Sequence, residues 1–225
     1  MSFVVLGGSV SPFVRKVRAV LAEKGLAYEH EQVNPFAPPE GWRAVSPLGK
    51  IPAFRDGDRV INDSSVICQY LERRAPSPAL YPSDDYAFAR ALWLEEYADG
   101  GLVPLAGPRI FRPLVLQPLL TQKPPDAATE AAARKAWDED LPTLFDYLEG
   151  QLGDGEYLVG ERLTIADVSV ASPFVNMRHA GFAPARKRWP RLRAFLERIW
   201  SRPSFKALID EETPIFGRRA ERIAD

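Results

Sequence analysis

The spacing of hydrophobic positions changes several times in the first part of the chain. Residues 3–6 form a short apolar run that two glycines end, which predicts a buried strand. From residue 13 onward, apolar side chains recur every three or four positions, with Arg15, Lys16 and Arg18 between them. This spacing predicts an amphipathic helix ending at Gly25. Residues 28–33 indicate a second strand, so the chain opens as β-α-β.

A second pattern follows the irregular, proline-rich residues 34–50. Residues 51–54 predict a third strand, and the Asp-Gly pair that follows is a turn signal typical of hairpins. Residues 59–61 return as a fourth strand, and apolar side chains at helical spacing then continue to about residue 74. The order βαβ, ββ and α predicts a thioredoxin-like α/β domain over residues 1–80.

Every strong pattern after the linker prolines of residues 76–82 is helical. We expect helices over residues 86–99, 127–152, 164–179 and 189–200, and a last short helix after Pro203. Pro142 should kink or split the second of these helices. The predicted fold class is therefore an α/β thioredoxin-like N-terminal domain followed by an all-α helical domain over residues 87–225.

Residues 103–125 contain six prolines among large apolar side chains. Prolines at this density exclude a long regular helix, since each lacks an amide hydrogen and crowds the preceding turn. One interpretation is a surface loop packed over the helices. The other is a semi-rigid wall of a substrate pocket, and the sequence leaves both open.

Composition narrows the possible partners and compartments. Hydrophobic residues make up 46% of the 225 residues, charged residues 26%, and the net charge is −1. This balance suits a packed core and predicts neither a nucleic-acid nor a membrane partner. The single cysteine, Cys68, excludes an intrachain disulfide and a multi-cysteine metal site, and its helical position indicates a core residue. Without a signal-like N-terminus, we expect a cytoplasmic protein with no metal.

The start of the first helix is a candidate thiol site. Unpaired amide groups and the helix dipole favour negative charge there, as they do for cysteine thiolates at helix N-termini. Ser11 precedes Pro12 and Phe13 at this position, so its hydroxyl could donate to a bound thiolate. The alternative is an ordinary N-cap serine. Ser9, also between strand and helix, is the rival candidate.

Two further positions suit the rest of a peptide-like ligand. Pro52 opens a strand after a long loop and is a candidate cis-proline, which would leave the Ile51 backbone free to pair with a peptide. Asp63 and Ser64 begin the next helix, where amide and hydroxyl donors suit a carboxylate and the aspartate suits an amino group. The alternatives are an ordinary strand start and ordinary helix capping.

A capping box is predicted at the start of the third C-terminal helix, where Thr164 is followed three residues later by Asp167. Leu163 and Val168 occupy the positions of a hydrophobic staple. We interpret this segment as structural.

Four segments together resemble those of cytosolic glutathione transferases, most closely the serine-class members, which include the plant tau class and many bacterial relatives. They share the family's order and spacing, and they span residues 11–18, 46–52, 63–71 and 158–167. The resemblance covers nearly the whole chain. The family usually has glutamate where Asp63 stands, and here Ser46 replaces an asparagine before the proline.

The resemblance implies a role for each matching residue. Ser11 would hydrogen-bond the glutathione thiolate, and Ile51 would pair its backbone with the cysteinyl moiety before a cis-proline at Pro52. The remaining residues that we expect to bind glutathione are Phe13, Lys50 for the glycyl carboxylate, and Asp63 and Ser64 for the γ-glutamyl group. Phe36, Arg109 and Phe111 are candidates for the acceptor pocket, with packing or surface roles as the alternative.

The resemblance also implies a function. We expect a homodimeric transferase that uses glutathione as co-substrate and conjugates its thiolate to small hydrophobic electrophiles. An isomerase, a dehalogenase or a peroxidase could use the same glutathione site. A non-catalytic scaffold with this fold is the alternative outside enzymes.

Overall fold

A computed structural model describes residues 3–217, 219 and 220. One four-stranded sheet has the order β2-β1-β3-β4 and consists of β1 (Phe3–Leu6), β2 (Tyr28–Glu31), β3 (Ala53–Asp56) and β4 (Arg59–Asn62). β1 pairs in parallel with β2, whereas the β1–β3 and β3–β4 pairs are antiparallel. The helices of this part are α1 (Pro12–Glu23), the single turn α2 (Trp42–Val45) and α3 (Ser64–Arg74). The predicted thioredoxin-like arrangement is confirmed.

The two faces of the sheet are both covered, which explains why β1 is apolar at successive positions. Side chains alternate between the faces of a strand, so Val5 enters the core shared with α1 and α3, whereas Val4 and Leu6 face the opposite way. On that second face they pack with Val33 and with Trp42 of α2. The short turn α2, which the sequence did not predict, therefore closes a small second core.

The remainder of the described chain is helical. Its α-helices are α4 (Asp85–Glu96), α5 (Val103–Ala106), α6 (Gln117–Thr121), α7 (Ala127–Lys135), α8 (Pro142–Leu152), α9 (Ile165–His179), α10 (Pro190–Ser201) and α11 (Pro203–Phe216). The helix predicted over residues 127–152 is split, because Pro142 begins α8. The last helix has 14 residues and is longer than expected. No helix in the described residues is both long and apolar enough to span a membrane.

The proline-rich stretch is helical as far as Thr121, so of the two interpretations left open, the surface loop is wrong for most of it. α5 and α6 alternate there with wider π-helical turns, which also occur after α4 and α7 and span Tyr97–Leu102, Gly107–Leu116 and Ala136–Asp140. In the longest of them, the amide of Gln117 donates to the carbonyl of Arg112, five residues back. Widened turns accommodate prolines that supply no amide donor, and the result is an irregular but continuous helical wall.

α9 is the central helix, and all of its residues except Arg178 are buried. Its start carries the predicted capping box. The Asp167 carboxylate accepts hydrogen bonds from the amides of Leu158 and Thr164 at 2.8 and 2.7 Å, and from the Thr164 hydroxyl at 3.1 Å. Leu163 and Val168 are both buried beside it. α1 packs against this helix, so α9 joins the sheet-containing part to the helical part.

Candidate functional site

A cavity of about 1280 Å³ lies between the sheet and the C-terminal helices. One side, the loop half, consists of the lining residues between Gly8 and Ser65. The other side, the helical half, consists of the lining residues from Glu96 to Phe216. The residues that the sequence singled out and that line this one cavity are Ser11, Phe13, Phe36, Lys50, Ile51, Pro52, Asp63, Ser64 and Phe111.

Ser11 is the N-cap of α1 and lines the loop half. Its backbone is extended, with φ −66° and ψ 127°, and its Oγ accepts a long hydrogen bond of 3.4 Å from the Val14 amide. The hydroxyl hydrogen of Ser11 has no acceptor among the described residues, so it can be donated to a ligand in the cavity. Ser9 is buried, its amide donates to the Gln32 side chain, and it does not line the cavity.

The loop before β3 brings a free stretch of backbone to the same cavity. The Ile51–Pro52 peptide bond is cis, as the sequence suggested, and β3 begins only at Ala53. Among the described residues, no backbone hydrogen bond is made to Ile51, so its amide and carbonyl stay open to a ligand. The Ser46 hydroxyl donates to the Lys50 carbonyl at 2.8 Å and fixes this loop, while the Lys50 side chain is exposed.

Asp63 and Ser64 stand where α3 begins. Asp63 caps the helix through one oxygen, Oδ1, which accepts from the amides of Ser65 and Val66 at 3.0 and 3.3 Å. Its other oxygen has no partner in the part of the chain that the structure describes. Asp63 has a φ of +74°, a value that non-glycine residues seldom adopt. The N-terminus of α3 thus offers donors from Ser64 beside a free carboxylate oxygen.

The basic residues of α1 are buried, although they stand between the apolar positions from which the amphipathic helix was predicted. The Lys16 ammonium pairs with Asp99 at 2.6 Å and with Glu95 at 3.1 Å, and it also donates to Ser65. Burial alone would lower the pKa of Lys16, but the attraction of Asp99 and Glu95 outweighs it and raises that pKa. Because Asp99 lines the cavity, this ion cluster adds a negative charge near the start of α3.

The helical half is mostly apolar. Its hydrophobic lining side chains are Val103, Ala106, Phe111, Leu116, Leu119, Leu120, Pro173, Met177 and Phe216. Phe36 reaches across from the loop half, 60% exposed, and its ring centre lies 5.6 Å from the Arg112 guanidinium carbon. This contact joins the two halves at the edge of the cavity.

Arg109 does not belong to the cavity, which corrects the expectation for this residue. It is exposed and forms an ion pair with Asp140. Residues two positions apart lie on opposite sides of a helix, so Arg109 and the cavity-lining Phe111 do not share a face. An irregular loop would have allowed both to point inward, but a helical wall does not.

Several residues that contact the site lie outside the loop motifs that the sequence singled out. Asn176 and Met177 of α9 line the cavity, and the Asn176 amide also reaches the backbone beside Ser11. Asp99 and Glu96 enter from the end of α4 and the π-helical turn after it. They lie far from the loop motifs in sequence, and the packing of α9 against α1 and of α4 against α9 brings them to the site.

Two family models match the chain. The model described as "Glutathione S-transferase, N-terminal domain" matches residues 7–79, and that described as "Glutathione S-transferase, C-terminal domain" matches residues 115–212. A curated relative, glutathione S-transferase 3 of Zea mays, is 32% identical over 213 residues and the match covers 90% of this chain and 91% of the relative.

Two solved structures have the same fold. A glutathione S-transferase from Rhodospirillum rubrum aligns with a TM-score of 0.81 at 28% identity, covering 92% of this chain and 91% of the other. A glutathione S-transferase from Methylobacterium radiotolerans, in complex with glutathione sulfonate, aligns with a TM-score of 0.74 at 26% identity. That match covers 93% of this chain and 95% of the other.

Proposed function

The chain belongs to the glutathione S-transferase family of enzymes, and from that premise we propose that it conjugates the thiolate of glutathione to small hydrophobic electrophiles. One observation carries the proposal. A single cavity joins a polar loop half, with two helix N-termini, to an apolar helical half. Such a cavity suits a charged tripeptide on one side and a neutral acceptor on the other.

In this proposal, glutathione lies along the loop half. The γ-glutamyl carboxylate meets the Ser64 donors, and its ammonium group meets the free oxygen of Asp63. The cysteinyl backbone pairs with the open backbone of Ile51, beside Pro52. The glycyl carboxylate approaches the exposed ammonium group of Lys50. All of these residues line the same cavity, which supports the arrangement.

The thiol then lies at the start of α1, close to Phe13. The helix dipole and the Ser11 hydroxyl favour the thiolate, so the thiol proton is released to solvent near neutral pH. The sulfur lone pair attacks the electrophilic carbon, and a leaving group departs or the electron pair moves into the acceptor. The cavity holds the two reactants together, and no covalent enzyme intermediate is required.

The acceptor occupies the helical half, against Phe111, and Phe36 contacts it from the loop half. Since its lining is largely apolar, affinity comes from buried hydrophobic area, and neutral acceptors should be preferred over charged ones. We assign the two roles, glutathione binding and acceptor binding, to the two proposed domains. Residues 1–80 bind glutathione, and residues 87–225 contribute the acceptor pocket.

We further propose that the enzyme is a cytoplasmic homodimer. Large apolar side chains are exposed near the edge strand β4, on α3 and on α4, where Val60, Val66 and Trp93 are 43%, 53% and 52% exposed. A second copy that covered them would remove this area from water. Light scattering should give twice the monomer mass, and Val66→Asp should lower it.

Conjugation kinetics test the proposed function. Removing a hydrogen bond to a charged group costs about 1.5–3 kcal/mol, so Ser11→Ala should lower kcat/KM about tenfold or more with any conjugation acceptor. Ser9→Ala is the matched control and should stay close to wild type. Equal losses in the two variants, or none in either, would contradict the role of Ser11.

An acceptor panel tests the reaction itself. Conjugation should exceed glutathione-dependent isomerisation, dehalogenation and peroxide reduction in the same preparation. If one of the other reactions were faster, the proposed glutathione site would stand, but the proposed reaction would be wrong. Failure of the protein to bind a glutathione column would instead favour the scaffold alternative.

A further inference from the structure

Two backbone carbonyls on either side of Ser11 are held by side chains from α9. The Asn176 amide nitrogen, Nδ2, donates to the Val10 carbonyl at 2.9 Å, and the Ser172 hydroxyl donates to the Pro12 carbonyl at 2.7 Å. The Ser11 amide itself donates to the Gly8 carbonyl at 3.0 Å. Both polar groups of the Val10–Ser11 peptide are therefore occupied, which fixes the plane from which the Ser11 side chain projects.

The orientation of Asn176 is determined by the chemistry of its neighbour. The Nη1 group of Arg15 lies 2.8 Å from Asn176 Oδ1, and a guanidinium group can only donate hydrogen bonds. The oxygen of the amide must therefore face Arg15. This leaves the NH2 group of Asn176 facing the Val10 carbonyl, where it acts as the donor.

Arg15 is in turn held from the C-terminal helix α11. Its guanidinium makes two hydrogen bonds to the Glu212 carboxylate, at 2.9 and 2.5 Å, and both side chains are fully buried. It also donates to the Ser172 carbonyl at 2.8 Å. In a buried site with satisfied partners, such a network permits few alternative positions. A chain of hydrogen bonds thus runs from α11 through α9 to the loop that carries Ser11.

Ser172 has a simpler option that it does not use. Serine hydroxyls within helices commonly donate to a carbonyl one turn earlier in their own helix. Here the hydroxyl instead crosses to the Pro12 carbonyl, 160 residues earlier in the chain. Ser169, one turn before it on α9, is equally buried, and its Oγ has no hydrogen-bond partner among the described residues.

We propose that Ser172 and Asn176 are positioning residues, through which the helical domain sets the place of the Ser11 hydroxyl relative to the bound thiol. This inference rests on the proposed function. A hydrogen bond to sulfur weakens steeply as its geometry departs from the optimum, so a small rotation of the Val10–Ser11 peptide reduces thiolate stabilisation. Neither donor needs to touch the sulfur to have this effect.

The test compares Ser172→Ala with Ser169→Ala in the full chain. Both remove one buried hydroxyl from α9, but only the first removes a bond to the Ser11 loop. The pKa of the bound glutathione thiol is read from the ultraviolet absorbance of the thiolate as a function of pH. Ser172→Ala should raise that pKa. It should also lower kcat/KM for the acceptor about three- to tenfold, the range for one lost hydrogen bond. The KM for glutathione should change little. Ser169→Ala should match wild type in both measurements.

A double variant separates positioning from a general structural effect. If Ser172 acts through Ser11, then Ser172→Ala should cause no further loss when Ser11 is already alanine. Equal thiol pKa values in the Ser172 and Ser169 variants, or an undiminished loss in the double variant, would overturn this inference alone. A wild-type protein that takes up no glutathione would overturn the proposed function and this inference with it.

Discussion

The loop half and the helical half of the cavity are built in different ways. The loop half presents backbone groups, four serine side chains, one lysine and one aspartate, held by loops and helix starts within the first 65 residues. The helical half presents an apolar surface made by an irregular helix with four prolines between residues 103 and 121. Polar recognition requires particular atoms at particular places, whereas an apolar wall requires only shape and area. Exchange of side chains should therefore be tolerated better in the helical half.

Two helix starts, those of α3 and α9, are each stabilised by an aspartate side chain, and the two aspartates differ in burial. Asp63 is exposed, uses one oxygen for capping and lines the cavity. Asp167 is fully buried and uses both oxygens to satisfy backbone amides. The same residue type thus serves a ligand site in one place and stability in the other.

The largest expected effect is the loss of the buried cap. Asp167→Ala leaves the buried amides of Leu158 and Thr164 without partners, which should lower the free energy of unfolding by about 2–4 kcal/mol. Denaturant unfolding would measure this change. The glutathione KM of the folded fraction should remain near wild type. An unchanged unfolding midpoint would contradict the structural role.

The exposed cap should behave in the opposite way. Asp63→Asn keeps a capping oxygen and removes only the negative charge, since asparagine is an equally good N-cap. The glutathione KM should rise about tenfold through the lost attraction to the γ-glutamyl ammonium group, with little change in stability. Glutathione-dependent initial rates and a thermal melt check the two parts. A loss of stability without a change in the glutathione KM would show that Asp63 only caps α3 and does not bind the ligand.

A substitution in the helical half should affect only the acceptor. Leu119→Asp places a charge on the apolar wall, where Leu119 is 37% exposed. The KM for an apolar acceptor should rise about three- to tenfold, because part of the hydrophobic contact is replaced by a charge that must stay hydrated. Leu119→Met is the size-matched control. A comparable increase in the glutathione KM would contradict the division of the cavity into two halves.

The smallest effect concerns His179, which lies beside the buried Arg15–Glu212 ion pair. Burial lowers the pKa of His179, whose ring contacts the Glu212 carboxylate at 3.0 Å. Below about pH 6.5, the usual pKa of histidine, the unfolded chain binds a proton at this residue that the folded chain does not, so stability falls as pH falls. Thermal melts between about pH 7.5 and 5.5 should show a shallower decline for His179→Gln than for wild type. If the melting temperatures of wild type and His179→Gln fall equally with pH, the proposed contribution of His179 is contradicted.

The loop half was largely readable from the sequence because its features are local. A serine followed by proline, a proline at a strand start and an Asp-Ser pair each sit at an element boundary, and boundaries carry strong residue preferences. Most helix starts follow from the same local signals. The positions of Ser11, Pro52 and Asp63 around one cavity needed only the thioredoxin-like arrangement.

The helical half and the burial of the α1 charges were not readable in this way. No local pattern indicates that Arg15 and Lys16 are buried. They are buried because α4, the π-helical turn after it and α11 supply carboxylates from distant parts of the chain. Whether Phe111 and Arg109 face the cavity or solvent depends on the helical periodicity of this stretch. Its prolines did not predict a regular helix, so the faces could not be assigned from the sequence. Ser172 and Asn176 likewise acquire their partners only when α9 packs against α1.

The central claim is that this cavity binds glutathione and ionises its thiol at the start of α1. Calorimetric titrations with glutathione and with S-methylglutathione, in buffers of different ionisation enthalpy near neutral pH, measure the protons released on binding. We expect release of about one proton per bound glutathione and none for S-methylglutathione, because a helix N-terminus stabilises the thiolate. No uptake of glutathione at millimolar concentration, or uptake without proton release, would contradict it.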